Sequence, residues 1–223
     1  MKINVAIDGP AGAGKSTVAR AAAQKLGYIY VDTGALYRTV GVYAIRHGID
    51  YKDAKAVEAM LPNVRVELKF IEDVQHVFLN GEDVSEEIRL PESSMAASAV
   101  SAVPAVRAFL FELQREIAKH NDCLMDGRDI GTVVLPDAKV KIFLTADPEL
   151  RAERRYKELL EKGQTVEYAD VLKDLKERDY ADSHRAVAPL KPAEDSILLN
   201  TTKLNLEESI AAVIQIVKET LAK

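Results

Sequence analysis

Residues 9–17 read GPAGAGKST and follow directly on the apolar run INVAID. Gly9 and Gly14 are separated by four residues, and Lys15 and Ser16 come next, which completes the phosphate-loop pattern. The pattern has to lie between a strand and a helix, and INVAID before it and the helix-favouring run STVARAAAQKL after it meet that requirement. The stretch predicts an α/β fold arranged around a phosphate loop. The alternative is a glycine-rich turn that binds nothing.

The chemistry of such a loop comes from its backbone and from two side chains. Glycine lets the main chain approach a ligand, so that successive N–H groups can point at a polyanion. The helix that begins near Lys15 adds its partly positive N-terminus. Lys15 supplies a full charge to the terminal phosphates, and the Ser16 hydroxyl supplies a ligand for Mg²⁺, the cofactor that we expect. The loop predicts binding of a nucleoside triphosphate but not the fate of its phosphate.

Length and composition limit the class of protein. With 223 residues, 48% of them apolar, the chain suits one globular domain with room for an insertion. A formal net charge of −5 argues against a nucleic-acid-binding protein, which normally needs a basic face. The single cysteine, Cys123, rules out an internal disulfide and a cysteine-built zinc cage and is expected in a buried strand. Because Asp8 ends the N-terminal apolar stretch and no later run approaches ~18 residues, we expect a cytoplasmic protein without a membrane segment.

Short apolar runs separated by helical stretches indicate the main sheet. Strands that are apolar on both faces and alternate with helices imply a parallel sheet covered by helices on both faces. The predicted strands are INVAID (3–8), YIYVD (28–32), CLMDG (123–127), VKIFL (140–144) and SILLN (196–200).

One region has a different rhythm. In VRVELKF (64–70) apolar and charged residues alternate, which is typical of a strand with one solvent-exposed face. A turn near Glu72-Asp73 and the hairpin signal Asn80-Gly81 follow. We predict a small antiparallel β insert over residues 62–85, with an edge extension of the main sheet as the alternative.

Helices are predicted on both sides of the third strand. Two lie around residues 91–102 and 104–119, each with a proline in its first turn. A later helix has Asp147 as its N-cap, Pro148 at its first position and Gly163 as its stop, and a further helix follows it.

Transfer of a phosphate is indicated by arginines at predicted loops and helix ends. Two anionic phosphates brought to ~4 Å repel each other by about 1 kcal/mol per charge pair in water and by more in a drier site, and arginine offsets this with a planar, permanently charged fork. Any single helical arginine could instead belong to a solvated face. Arg154 and Arg155 are adjacent and point about 100° apart, so that both reach one spot only if the helix end moves. The set is Arg38, Arg128, Arg151, Arg154, Arg155, Arg178 and Arg185.

Two motifs lie where predicted strands end, the place at which open α/β sheets collect ligands. In DGRD, Asp126 occupies the position of a carboxylate that supports Mg²⁺ through a water molecule; the alternative is a simple turn. In DTGALYR, a strand passes into a helix, and Asp32 or Thr33 could serve only as the helix cap.

Several pieces together resemble bacterial cytidylate kinases, in order and spacing, over nearly the whole chain: IDGPAGAGKST, DTGALYR, DGRDIGTVVLPDA, KIFLTAD and KERDYADSHRAVAPL. The resemblance implies transfer of the γ-phosphate of ATP to CMP or dCMP, with Mg²⁺, by a monomer. It also implies one kinase domain over residues 1–223 with a phosphate-loop-type parallel sheet. Its parts are a core (about 1–32, 120–147 and 186–223), a monophosphate-binding part with the β insert (about 33–119) and a helical lid (about 148–185).

The same resemblance assigns residues to each substrate. The ATP site comprises Gly9, Pro10, Ala11, Gly12, Ala13, Gly14, Lys15, Ser16, Thr17 and Arg151. Arg38, Arg128 and Arg185 are assigned to the acceptor phosphate, with Thr33 and Tyr37 beside them. Ser98, Arg107 and Asp129 would read the cytosine edge, and Arg178 and Asp182 the base and ribose. The catalytic set is Lys15, Arg128, Arg154, Arg155 and Arg185.

The sequence departs from the family at Asn200, where an acidic residue is expected, and this leaves the adenine contacts open. One rival function is a phosphate-loop kinase for another small acceptor, such as AMP, UMP or shikimate; the β insert and the GRD and RDYADSHR motifs argue against it. A second rival is a nucleotide-dependent switch or binding module that hydrolyses ATP slowly.

Overall fold

The computed structural model describes residues 2–72, 74–161 and 163–222. Within these residues, five strands form one sheet in the order β2-β6-β1-β7-β8. β1 pairs in parallel with β6 and with β7, and β7 pairs in parallel with β8. The strands are β1 (Asn4–Asp8), β2 (Ile29–Asp32), β6 (Cys123–Gly127), β7 (Val140–Thr145) and β8 (Ile197–Asn200). All five agree with the strands predicted from the apolar runs.

The middle strands are buried on both faces, as their sequences require. Every residue of β6 is buried, and in β1 only Asn4 keeps partial exposure. Cys123, the first residue of β6, is fully buried, and burial raises the pKa of its thiol to about 12. The prediction of a buried structural cysteine is confirmed.

Helices flank this sheet. α1 and α8 contact each other and share an apolar cluster with the strands, centred on Val5, Ile7, Leu124 and Ile142. α8 begins with a capping box formed by Asn205 and Glu208. The helices of this part are α1 (Lys15–Leu26), α6 (Pro148–Glu161), α7 (Tyr168–His184) and α8 (Leu206–Leu221).

The region after β2 forms a second sheet and its own core. Three antiparallel strands in the order β3-β4-β5 are separate from the parallel sheet, so the β insert is confirmed and the edge-extension alternative is wrong. Asn80 and Gly81, with φ of 51° and 89°, form the predicted hairpin turn. Of the other predicted turn, Glu72 has a φ of 50° and Asp73 lies outside the described residues. The strands are β3 (Val66–Ile71), β4 (Val74–Leu79) and β5 (Glu82–Asp83).

Four helices surround this insert: α2 (Thr33–Arg46), α3 (Ala54–Met60), α4 (Pro91–Val100) and α5 (Pro104–His120). An apolar cluster that includes Leu36, Val40, Val77, Leu79 and Leu110 joins α2, β4 and α5. α4 and α5 agree with the predicted helices, whereas the sequence analysis did not identify the short α3.

The chain divides into two compact units. The first unit comprises residues 1–30 and 121–223, and the second comprises residues 31–120. In the described part of the chain no single helix is long and apolar enough to cross a membrane. Of the described helices, only α4 and α5 taken together have the required length and composition, and the two helices are bent by 103° at the break between them.

Candidate functional site

The phosphate loop connects β1 to α1 in the first unit. Gly9 has a φ of 152°, and a Cβ atom on it would lie 1.9 Å from the carbonyl oxygen of Leu144 in β7. Gly14, with a φ of 82°, stands at the N-cap position of α1, and no described side chain caps this helix. The first amides of α1 are therefore not occupied by a side-chain cap, as binding of an anion by the helix N-terminus requires.

Lys15 lies at the start of α1 with only 6% of its surface exposed. Its Nζ donates a hydrogen bond to the carbonyl oxygen of Pro10 at 2.7 Å. Burial lowers the pKa of Lys15 well below its usual value, and the positive charge of Arg128 lowers it further. An anion beside Nζ would have the opposite effect on this pKa, because it would stabilise the charged form.

Ser16 and Asp126 bring two hard oxygen ligands together. The Ser16 hydroxyl donates to Asp126 Oδ2 at 2.8 Å, and the Tyr30 hydroxyl donates to Asp126 Oδ1 at 3.0 Å. These groups suit Mg²⁺, which prefers oxygen and takes few protein ligands beside water and phosphate. Among the described residues no group of three or more His, Cys, Asp and Glu could hold a metal by itself.

The three arginines of α6 have different surroundings. Arg151 is buried and donates to the carbonyl oxygens of Ala11 and Ala146, each at 2.8 Å, and its Nη1 lies 2.7 Å from the carboxylate of Asp179 in α7. It therefore connects the phosphate loop to both late helices, rather than extending freely from α6.

Arg154 and Arg155 differ from Arg151 and from each other. Arg154 Nη1 lies 3.9 Å from the point where a Cβ on Gly14 would stand, so that this guanidinium is beside the loop. Arg155 Nη1 donates to Glu158 at 2.8 Å, within the same helix. The adjacent arginines thus have different neighbours, as expected from their angle on a helix.

Two ion pairs join the DGRD motif to the end of α7. Arg128 Nε donates to Asp182 Oδ2 at 2.8 Å, and Arg185 Nη2 lies 3.5 Å from Asp129 Oδ1. Burial alone would raise the pKa of Asp182, but the nearby arginines, Arg128 above all, hold it below its usual value. Arg178 lies one helical turn before Asp182 on α7 and is half-buried. Five residues of the first unit are assigned to the acceptor site. Four of them form two ion pairs, Arg128 with Asp182 and Arg185 with Asp129.

Asp8 was not among the site residues expected from the sequence. It is 4% exposed, and its two carboxylate oxygens accept from the backbone N–H groups of Ile130 and Gly131, both at 2.8 Å. These residues begin a π-helical segment (Ile130–Val134) directly after Asp129. Burial raises the pKa of Asp8 to about 6, although the two amides act in the other direction. The only sequence signal is a charged residue at the end of an otherwise apolar strand.

In the second unit, one group of assigned residues lies at and near the start of α2. Asp32 caps α2 by accepting from the Ala35 N–H at 3.1 Å through Oδ1, and its Oδ2 accepts from Arg38 Nη2 at 2.5 Å. Thr33, the first residue of the helix, is buried. The cap expected as an alternative use of this junction is present, and the same carboxylate also holds Arg38.

Tyr37 and Arg107 form a second group in this unit. The Arg107 guanidinium lies 5.6 Å from the centre of the Tyr37 ring, and its Nη1 donates to the Ser101 carbonyl oxygen at 3.4 Å. Ser98 is half-buried on α4, less than one turn before Ser101. The expected base-reading residues of this unit, Ser98 and Arg107, therefore both lie near Ser101.

The sequence matches the cytidylate kinase family over residues 5–219. The chain belongs to this family. The cytidylate kinase of Caldicellulosiruptor bescii is 49% identical over 96% of this chain and 95% of the relative, and that of Lactobacillus johnsonii is 48% identical over 97% and 94%.

A solved structure shows the same fold at much lower sequence similarity. An uncharacterized protein from Eubacterium ventriosum is 13% identical, with a TM-score of 0.54, over 97% of this chain and 99% of that chain. At this identity the likeness concerns the fold alone. The family matches extend across the parallel sheet, the β insert and the late helices, so that the resemblance noted in the sequence covers both units.

Proposed function

We propose that this protein transfers the γ-phosphate of ATP to CMP or dCMP, giving ADP and CDP or dCDP. Membership of the cytidylate kinase family over nearly the full chain, with an intact phosphate loop, is the observation that carries the proposal. In the reaction an oxygen of the acceptor phosphate forms a bond to the γ-phosphorus, and the bond from that phosphorus to ADP breaks.

The triphosphate is assigned to the phosphate loop. Backbone N–H groups of the loop, other than at Pro10, and the start of α1 would donate to the phosphate oxygens, and the Lys15 ammonium would offset the charge of the terminal phosphates. Arg154, beside Gly14, and Arg155 would neutralise charge that develops during transfer. For Arg151 the buried contacts support a positioning role, because its guanidinium holds the Ala11 carbonyl of the loop itself.

Mg²⁺ is proposed as the cofactor, and the Ser16 hydroxyl would hold it, with Asp126 acting through a water molecule. When bound, the ion neutralises phosphate charge and fixes the orientation of the β- and γ-phosphates. The 2.8 Å hydrogen bond between Ser16 and Asp126 keeps these two oxygens together, and the Tyr30 hydroxyl fixes the other carboxylate oxygen.

CMP is assigned to arginines for its phosphate and to a carboxylate for its base. Arg38, Arg128 and Arg185 would bind the acceptor phosphate, with Thr33 and Tyr37 beside it. Asp129 would accept from the amino group of cytosine, while Ser98 and Arg107 donate to its ring nitrogen and carbonyl. Arg178 and Asp182 would contact the base and ribose. Because uracil carries an oxygen in place of the amino group, it would offer Asp129 no hydrogen-bond donor at that position.

No general base is needed in this mechanism. Transition states of phosphoryl transfer are loose, so that positioning and charge neutralisation supply most of the rate. The four-residue pairing of Arg128, Asp129, Asp182 and Arg185 already fixes two of the cations proposed for the acceptor phosphate. We further propose that the protein acts as a cytoplasmic monomer with small-molecule substrates, without a nucleic-acid or membrane partner.

An acceptor panel tests the reaction. Purified protein with ATP and Mg²⁺ is expected to release ADP when CMP or dCMP is added, and little with AMP, UMP or shikimate. ADP release without any acceptor would favour a nucleotide-dependent switch, and release with another acceptor alone would favour the rival kinase.

The base assignment has its own test. Asp129→Ala should lose the preference for CMP over UMP, measured as the ratio of their kcat/KM values. Arg185→Ala is the matched control because Arg185 is the ion-pair partner of Asp129. It should weaken CMP binding more than ATP binding while keeping the preference for CMP. Unchanged discrimination in Asp129→Ala would mean that the base is read elsewhere.

A further inference from the structure

The β insert supplies none of the residues assigned to the substrates, although it forms a separate sheet in the second unit. One face of β4 is anchored in the core of this unit, because Val77 and Leu79 are almost fully buried and β4 packs on α2. Side chains alternate along a strand, so Gln75 shares this inward face with them. The inward face of β4 therefore carries one polar side chain, at the end nearer to Val74.

Gln75 makes two hydrogen bonds to the backbone of one residue, Asp32. Its Oε1 accepts from the Asp32 N–H at 2.8 Å, and its Nε2 donates to the Asp32 carbonyl oxygen at 3.3 Å. The N–H and C=O groups of a strand residue that point to one side are normally satisfied by a neighbouring strand. At Asp32, the last residue of β2, the primary amide of Gln75 satisfies both backbone groups instead.

The position of Asp32 in turn fixes Arg38. The two carboxylate oxygens of Asp32 are divided between the Ala35 amide and the Arg38 guanidinium. Arg38 runs back along the first turn of α2, so that a Cβ atom on Gly34 would lie only 3.1 Å from Arg38 Nη1 and from Asp32 Oδ1. A shift of the Asp32 backbone would move both the start of α2 and the guanidinium of Arg38.

We propose that Gln75 is a positioning residue for the acceptor phosphate: the β insert holds the backbone of Asp32, and Asp32 orients Arg38. The inference rests on the proposed function, in which Arg38 binds the phosphate of CMP. It gives the insert a role in substrate binding without any contact between the insert and the substrate.

Gln75→Ala tests this role, because loss of a positioning residue for the acceptor phosphate should change the KM for CMP more than kcat or the KM for ATP. Loss of the two hydrogen bonds is expected to raise the KM for CMP roughly 3- to 10-fold, with kcat and the KM for ATP changed less than about twofold. His76→Ala is the matched control, because His76 is the adjacent residue of β4 and bonds Asp83 at 2.7 Å, within the insert. It should lower the melting temperature and leave the KM for CMP unchanged. An effect of Gln75→Ala confined to stability would overturn the proposal.

A double-mutant cycle with Arg38→Ala tests the route. If Gln75 acts through Arg38, Gln75→Ala should change the KM for CMP by less than about twofold in the Arg38→Ala background. An equal effect in both backgrounds would overturn the proposal, and so would an unchanged KM for CMP in Arg38→Ala. A wild-type protein that phosphorylates CMP in these assays upholds the proposed function in either case, whereas a wild-type protein inactive with CMP would refute that function itself.

Discussion

Two strands of the parallel sheet end in an aspartate before a helix, and the two junctions use this residue differently. At the end of β1, Asp8 accepts from the amides of Ile130 and Gly131, far along the chain, and no described side chain caps the helix after the loop. At the end of β2, Asp32 caps the helix that follows it. An anion can therefore bind to the backbone at α1, whereas at α2 the helix N-terminus already faces a carboxylate, and in the proposed function the phosphate of CMP binds the Arg38 side chain instead.

The largest effect is expected at the junction between β1 and α1, where the backbone can bind an anion. Lys15→Met should lower kcat by roughly 10³-fold, because the charge beside the terminal phosphates is lost while the fold is kept. Lys141→Met is a matched control: Lys141 is also a buried lysine that donates to a proline carbonyl five residues earlier, that of Pro136, but its ion pair is with Asp195. It should reduce stability and leave kcat within about twofold. Near-normal kcat in folded Lys15→Met would contradict the assignment.

The second prediction concerns Asp8 and pH. Its pKa of about 6 in the folded protein lies above the ordinary value of 3.8, so the folded state binds this proton more tightly than the unfolded state. Relative to Asp8→Asn, the wild-type protein should gain about 2 kcal/mol of unfolding free energy as the pH falls from 6 to 4. Urea unfolding of both proteins across this range measures the gain. A difference that is independent of pH would show that burial does not raise the pKa of Asp8.

The third prediction concerns the junction between β2 and α2, where the Arg38 side chain is proposed to bind the phosphate of CMP. Arg38→Ala should raise the KM for CMP about 10- to 100-fold, the range expected for loss of hydrogen bonds to a charged group, and leave the KM for ATP nearly unchanged. Arg46→Ala, on the same helix, removes an exposed ion-pair network with Glu82 and Glu87 and serves as the control. If both variants change the KM for CMP equally, the effect reflects the helix and not the guanidinium of Arg38.

The smallest effect isolates the cap that distinguishes the junctions. Asp32→Ala should lose about 1 kcal/mol of unfolding free energy, whereas Asp32→Asn keeps a capping oxygen and should lose less. Asp53→Ala removes the cap of α3, where Asp53 Oδ1 accepts from the amides of Lys55 and Ala56, and should cost a similar amount. Only the Asp32→Ala change should also raise the KM for CMP. Equal KM values in the two alanine variants would separate the cap from substrate binding.

The features that could be predicted from sequence are those encoded in short stretches. The phosphate loop follows from glycine and lysine spacing, the strands from apolar runs, and the β insert from alternation and the Asn80-Gly81 signal. The short α3, at Ala54–Met60, has little periodicity to identify it.

The contacts that could not be predicted join residues distant in sequence. Gln75 and Asp32 are 43 positions apart, and Asp8 and Ile130 are 122 positions apart. The family resemblance assigns Arg151 to the ATP site, and only the fold shows that its guanidinium donates to the carbonyl oxygens of Ala11 and Ala146. Hydrogen-bond partners of this kind depend on tertiary structure, and local sequence patterns carry no information about them.

The first unit is formed by two separate segments of the chain, residues 1–30 and 121–223, and this affects the order in which the two units can fold during synthesis. The second unit, residues 31–120, is continuous, and the β insert and helices α2 to α5 are all synthesised once residue 120 has left the ribosome. β1 is made first, yet Asn4 pairs with Cys123 and Val5 with Val140, so the strand that carries the phosphate loop has no sheet neighbour until much later. Contacts of such long sequence separation are slow to form. The β insert and its helices can therefore fold on the nascent chain before β1 and the phosphate loop gain their sheet neighbours.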